Sequence, residues 1–166
     1  MTVTACVAYV AIGANLGEPV ATVRAAIDAL RAVEGTRFLS ASSLYRTAPV
    51  GLHHQPDFIN AVAALEVDAA ALPAPSLLDR LFAIEADFGR VRTIRNAPRT
   101  LDLDLLLFGT ECRDEPGLTL PHPRMTERAF VLAPLAELGP DLNIPGHGRI
   151  ADLLAGVVGQ RIERLS

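Results

Sequence analysis

The sequence predicts an α+β domain of the split βαβ, ferredoxin-like type: a βαββαβ core in which helices cover one face of an antiparallel sheet, followed by a C-terminal helical extension. Three observations carry this. Four runs are rich in strand-forming residues, and two stretches between them repeat apolar residues at helical spacing. The runs follow one another as β, α, β, β, α, β. With 166 residues, half of them apolar, the chain has the size of one ordinary domain and can bury a core without staples, so residues 1–166 are read as a single domain.

Ala5 to Ile12 is the first strand, closed by GANLG. Val20, Val23, Ile27, Leu30 and Val33 then recur at helical spacing up to Gly35, the expected C-cap. Phe38 to Arg46 and Phe58 to Val67 read as two further strands, joined by TAPVGLHHQPD, which is rich in turn residues and too long for a tight hairpin. After the loop at Leu72 to Pro75, Ser76 to Phe88 forms a second helix with the stripe Leu78, Leu81, Glu85 and Phe88, flanked by Leu77 and Ile84. Glu85 in that stripe is either a boundary residue whose head reaches water or a buried carboxylate with a definite partner, and periodicity does not decide between them. Arg90 to Pro98 is an arginine-rich loop, Arg99 to Phe108 is the last core strand, and Met125 to Leu138 is helical with a break before Pro134.

A net charge of −4 gives no electrostatic support to binding nucleic acid or an anionic membrane, which points to a small-molecule partner. Cys6 and Cys112 have neither metal-ligand spacing nor the look of a disulfide framework, and Cys6 reads as a small core residue. The apolar N-terminal stretch lacks the basic flank of a signal peptide and is too short to span a bilayer. A cytoplasmic protein is therefore expected, and a monomer. All fifteen basic residues are arginine, so the chain carries no P-loop lysine and no Schiff-base lysine. Any phosphate bound here is held by arginines.

Chemistry concentrates in PRTLDLDLLLFG, Pro98 to Gly109. On an extended chain Thr100, Asp102, Asp104, Leu106 and Phe108 share one face, and Leu101, Leu103, Leu105 and Leu107 the other. The two carboxylates lie roughly 7 Å apart, close enough that each opposes the other's ionisation unless a cation stands between them. A solvated sheet face accounts for such a pair, and so does a site for Mg²⁺, which takes one or two carboxylates and fills its shell with phosphate oxygens and water. Arg90, Arg92, Arg95 and Arg99 precede the pair within ten residues. Arginines beside a carboxylate-held cation suit transfer of a phosphoryl-type group, whose transition state spreads negative charge over several oxygens. LPHPRMTERAF supplies His122, Arg124 and Arg128 near a helix start, and QPDFINA places Phe58 and Asn60 on one strand face, a ring to stack on a flat heterocycle and an amide to read its edge.

In order along nearly the whole chain, AYVAIGANLG, SSLYRTAPVG, QPDFINAV, the arginine loop with RNAPRTLDLDLL, and LPHPRMTERAFVLAPL resemble the 6-hydroxymethyl-7,8-dihydropterin pyrophosphokinase family of the folate pathway. The resemblance implies transfer of diphosphate from ATP to the hydroxymethyl oxygen of the pterin, with release of AMP. It implies that Asp102 and Asp104 bind two Mg²⁺ ions at the triphosphate, and that Arg90 and Arg99 assist the chemical step. By the same matching, Thr47 and Val50 line the pterin pocket with Phe58, Asn60 and Phe130. Arg92, His122 and Arg128 contact ATP phosphates, and Leu78, Leu105, Leu118 and Thr119 line the adenine and ribose site. Departures from the family pattern are an arginine loop one residue shorter, Asn96 where a tryptophan is common, Ala48 in place of a proline, and Phe82 at a position polar in some members.

Two other readings accommodate part of the pattern. A metal-dependent phosphohydrolase with water as nucleophile explains the acids and arginines and leaves Phe58, Asn60 and Phe130 without a purpose. A noncatalytic ferredoxin-like nucleotide-binding module fits the apolar composition and the lack of an obvious general base.

Overall fold

The computed structural model describes residues 5–48, 56–89 and 101–165. The chain runs β1 (Ala5–Ala14), α1 (Pro19–Arg31), β2 (Thr36–Ala41), β3 (Leu44–Thr47), β4 (Phe58–Asp68), α2 (Ala74–Asp87) and β5 (Asp102–Phe108), which is the expected βαββαβ order with its second strand divided. The remainder comprises β6 (Arg113–Glu115), β7 (Leu118–Leu120), a 3₁₀ turn at Met125–Glu127, α3 (Ala129–Leu138), β8 (Asn143–Ile144), β9 (Gly148–Arg149), α4 (Ile150–Ala155) and β10 (Ile162–Leu165). The main sheet has the order β10-β3-β4-β1-β5, with β2 also paired to β4, and every pairing is antiparallel. Among the described residues no helix is long and apolar enough to cross a membrane.

The central strand β4 is buried almost throughout, which is why its sequence reads as a continuous apolar run rather than an alternating one. On one side of the sheet Ile12, Leu65, Leu103 and Phe108 pack with Val23, Leu30, Leu77 and Leu81 of α1 and α2. On the other, Val62, Leu106 and Leu107 pack with Leu132 and Leu135 of α3 and with Ile150 of α4. Helices therefore cover both faces, where the sequence reading covers one. The C-terminal extension supplies the second layer and then returns a strand, β10, to the sheet beside β3.

Four local features depart from the sequence-based expectation. The run Phe38 to Arg46 breaks at Ser42 and Ser43, where Ser42 takes over the pairing: its N–H donates to the Val62 carbonyl at 2.8 Å and its hydroxyl accepts from the Val62 N–H at 2.9 Å. Helix α1 ends at Arg31, and Gly35 instead makes the left-handed turn (φ 86°) into β2. The break near α3 falls at Arg128, and the helix runs through Pro134, which is buried with Leu132 and Leu135. Burial of that face outweighs the one helical hydrogen bond proline cannot make.

The fourth departure is a bulge in β5. Tyr9 pairs with Leu107 but Val10 with Leu105, so Leu106 is an extra residue and the face alternation inverts after it. Phe108 joins Leu101, Leu103 and Leu105 in the core beneath α1 and α2, and Leu107 joins Leu106 on the α3 side. The predicted sharing of faces thus holds for Asp102, Asp104 and Leu106 and fails for Leu107 and Phe108. Just beyond, Gly109 turns with φ 58°, and a β-carbon there would stand 2.9 Å from that of Cys6, so only glycine fits.

Candidate active site

A cleft of about 1300 Å³ opens where β5 forms the edge of the sheet. Its floor is made by small residues of β1. Gly13 pairs with Asn60 on one side and Asp102 on the other, and Ala11 pairs with Val62 and Asp104. Asn60, Gly13 and Asp102 therefore form one row across three neighbouring strands, which puts the Asn60 and Asp102 backbones roughly 10 Å apart. The absence of a side chain at Gly13 keeps the row open, since a β-carbon there would come 3.2 Å from Asn60 Oδ1. Further along this face β1 carries Tyr9, packed into the α3-side core, so side-chain size falls from Tyr9 through Ala11 to Gly13 toward the cleft.

One limb of the cleft lies under the start of α3. Asn60 is buried, and its amide N–H donates to the Thr47 hydroxyl at 3.0 Å, which fixes its orientation across β3 and β4. Phe58 and Phe130 are half-buried walls of the same limb, from β4 and α3. The other limb passes around the sheet edge between α2 and β7 and is lined by Leu78, Phe82, Leu105, Leu118 and Thr119. Asp102 and Asp104, both half-exposed, stand between the limbs, and His122 and Arg128 border the cleft beside them.

The acidic pair is held from behind. Glu85 of α2 is 1% exposed, and its Oε2 accepts the backbone N–H of Leu103 at 2.8 Å. Leu103 lies between the two aspartates on a strand whose outer edge has, among the described residues, no neighbouring strand in the sheet, so the carboxylate does for that N–H what a further strand would do. This decides the sequence-level alternative for Glu85 in favour of a buried acid with a definite partner.

His122 is positioned by its backbone, whose N–H donates to the Leu106 carbonyl at 2.9 Å, and its Nδ1 accepts from the Arg124 N–H at 3.3 Å. Burial lowers its pKa below the usual imidazole value; the Asp104 charge pulls the other way, and Arg128 and Arg124 add to the lowering. The Arg128 guanidinium lies over the Phe130 ring, 5.5 Å from its centroid.

Of the residues singled out in the sequence, Thr47, Phe58, Asn60, Leu78, Asp102, Asp104, Leu105, Leu118, Thr119, His122, Arg128 and Phe130 all line this one cleft. Val50, Arg90, Arg92 and Arg99 lie outside the described residues, as do Arg95 and Asn96. Sequence reasoning missed Gly13 as the spacer of the row, and missed Gln160 and Arg161, which reach the cleft from the segment before β10. The glycine stands in a visible GANLG turn signal; the other two carry no motif.

Residues 9–140 match the family described as 7,8-dihydro-6-hydroxymethylpterin-pyrophosphokinase (HPPK). A 2-amino-4-hydroxy-6-hydroxymethyldihydropteridine pyrophosphokinase of Pseudomonas aeruginosa is 50% identical over 157 residues, covering 95% of this chain and 95% of that protein. The protein of the same name from Haemophilus influenzae is 40% identical, covering 96% of this chain and 98% of its own length. A crystal structure of Plasmodium falciparum HPPK-DHPS superposes with a TM-score of 0.75 at 14% identity, covering 95% of this chain and 46% of that longer one, a likeness of fold. The family match over most of the chain, and relatives aligned nearly end to end, establish that this chain belongs to the 7,8-dihydro-6-hydroxymethylpterin-pyrophosphokinase family.

Proposed function

We propose that the two limbs of the cleft divide the substrates of a diphosphate transfer between them, the pterin under α3 and the nucleotide between α2 and β7, with their reacting groups meeting over Asp102 and Asp104. The observation that carries this is the row Asn60, Gly13, Asp102: an oriented amide and a carboxylate on one floor, spaced for a bicyclic ring carrying a hydroxymethyl arm. Asn60 reads the polar edge of the pterin, Phe58 and Phe130 stack on its faces, and Thr47 and Val50 complete the pocket. Leu78, Leu105, Leu118 and Thr119 take the adenosine, while Arg92, His122 and Arg128 bind the phosphates. Arg90 and Arg99 offset charge developing in the transition state.

The donor set fits Mg²⁺. Asp102 and Asp104 offer hard carboxylate oxygens on the same face of β5, opposite Gly13 and Ala11, which leave space above them. Two Mg²⁺ ions held there by Asp102 and Asp104 would neutralise phosphate charge and lower the pKa of the attacking hydroxyl. The pterin hydroxyl oxygen bonds to the β-phosphorus of ATP, the bond from that phosphorus to the oxygen bridging to the α-phosphate breaks, AMP departs with that oxygen, and the hydroxyl proton passes to solvent. The working unit proposed is a monomer in the cytoplasm.

The test is to incubate the purified chain with ATP, Mg²⁺ and 6-hydroxymethyl-7,8-dihydropterin and identify the nucleotide product by chromatography. AMP formed only when the pterin is present is the expected result. ADP or phosphate formed without pterin would establish the hydrolase reading instead, and binding of nucleotide with no turnover would establish the noncatalytic one.

A further inference from the structure

Gln160 lies in the turn before β10 and reaches back to the mouth of the cleft. Its Oε1 accepts the N–H of Ala129 at 2.9 Å, and its Nε2 donates to the carbonyl of Glu127 at 2.7 Å. The two bonds bracket Arg128, an extended residue (φ −123°, ψ 110°) between the 3₁₀ turn and α3. Helix α3 has no side-chain cap from its own N-cap residue. A distant amide therefore satisfies the first N–H of the helix and, with the same planar group, fixes the carbonyl of the turn that precedes it.

What hangs from the bracketed backbone is the wall of the cleft. Arg128 and Phe130 both line it, and the guanidinium of the first lies over the ring of the second. Two residues after Gln160, Ile162 pairs with Thr47, whose hydroxyl orients Asn60. Gln160 thus links the Phe130 wall, through its side-chain bonds, to the strand whose backbone pairs with Thr47.

We propose that Gln160 is a positioning residue of the pterin pocket, setting Arg128 and Phe130 against Thr47 and Asn60. The inference rests on the reading of that limb as the pterin site. Its loss loosens the pocket and leaves Asp102 and Asp104 as they are, so the effect falls on pterin affinity rather than on the chemical step.

The experiment measures pterin binding to the full chain by calorimetry, with a nonhydrolysable ATP analogue present, alongside steady-state kinetics. Gln160→Ala is expected to weaken pterin binding about tenfold, the scale set by losing one or two hydrogen bonds, and to raise KM for the pterin more than it lowers kcat. Gln160→Glu separates positioning from general stability. Its ionised carboxylate accepts from Ala129 but has no hydrogen for the Glu127 carbonyl, whereas the protonated acid is isosteric with the amide and makes both bonds. The pterin affinity of that variant, expressed relative to the unsubstituted chain, should recover several-fold as pH falls from about 7 to about 4, through the ordinary glutamate pKa of about 4.3. Glu127, Arg128, Arg124, Arg161 and His122 line the cleft together with Gln160, as do Glu85, Asp102 and Asp104, and all are common to the variant and the parent, so the ratio cancels their own titration. Should Gln160→Ala fold poorly, the Gln160→Glu ratio decides alone. Unchanged pterin affinity in Gln160→Ala, or a Gln160→Glu deficit independent of pH, overturns the proposal. An unsubstituted chain that binds no pterin overturns the reading of the site instead.

Discussion

The Glu85 carboxylate and the Leu103 backbone meet in a buried 2.8 Å hydrogen bond that joins α2 to the strand bearing Asp102 and Asp104. The bond makes the orientation of the acidic pair depend on a helix that also lines the limb proposed for the nucleotide, through Leu78 and Phe82. Replacing Glu85 by Ala leaves the Leu103 N–H buried without this acceptor. A stability loss of about 1–3 kcal/mol is expected in denaturant titration, together with a fall in kcat, whereas Glu85→Gln keeps an acceptor and loses less. A Glu85→Ala midpoint equal to that of the parent would show that the bond contributes nothing.

Gly13→Ala tests the row on the cleft floor. The added β-carbon would approach Asn60 Oδ1 at 3.2 Å, so the amide must shift away from its place beside Thr47. The expected outcome is a rise in the pterin KM of about tenfold with KM for ATP changed much less. Equal rises for both substrates would mean that Gly13 does not serve the pterin limb in particular.

Asp102→Ala and Asp104→Ala each remove a proposed ligand for the cation. Single-turnover rates should fall on the order of a thousandfold or more while the fold persists, since both side chains are half-exposed. A rate within a few-fold of the parent for either variant removes that residue from the metal assignment.

The pH dependence of stability should show His122. Its pKa is lowered in the folded chain, chiefly by burial, so the folded state holds the proton less tightly than the unfolded chain does. The contribution is present above the unfolded value of about 6.5 and is lost as pH falls through the lower folded value. Thermal midpoints measured from neutral to mildly acidic pH should therefore decline less steeply in His122→Asn than in the parent. Identical slopes, or an imidazole that titrates by NMR above its usual value in the free protein, would contradict this.

Much of the core and of the cleft was legible in local pattern. Alternation alone put Asp102 and Asp104 on one face, and the pairing with Gly13 and Ala11 bears that out. The same alternation failed past Leu106 because leucines suit either side of a sheet buried on both faces, and nothing in LLLF marks the extra residue at Leu106. Helical spacing exposed Glu85 as an anomaly, but its partner belongs to another element and no local rule names it. Gln160 was invisible for a different reason: its two bonds are to backbone far along the chain, and any polar residue in a turn looks the same in sequence.

The narrowing of β1 from Tyr9 through Ala11 to Gly13 has a thermodynamic side. A strand that gives up side-chain volume toward one end leaves part of its sheet face uncovered, and the packing forgone there is restored only when something else occupies the space. Substrates that fill the cleft then act as removable pieces of the core. Melting should accordingly be later when pterin and nucleotide are both bound, by an amount that grows with their concentration, and the shift should shrink in Ala11→Leu, where the chain fills the hollow with its own atoms.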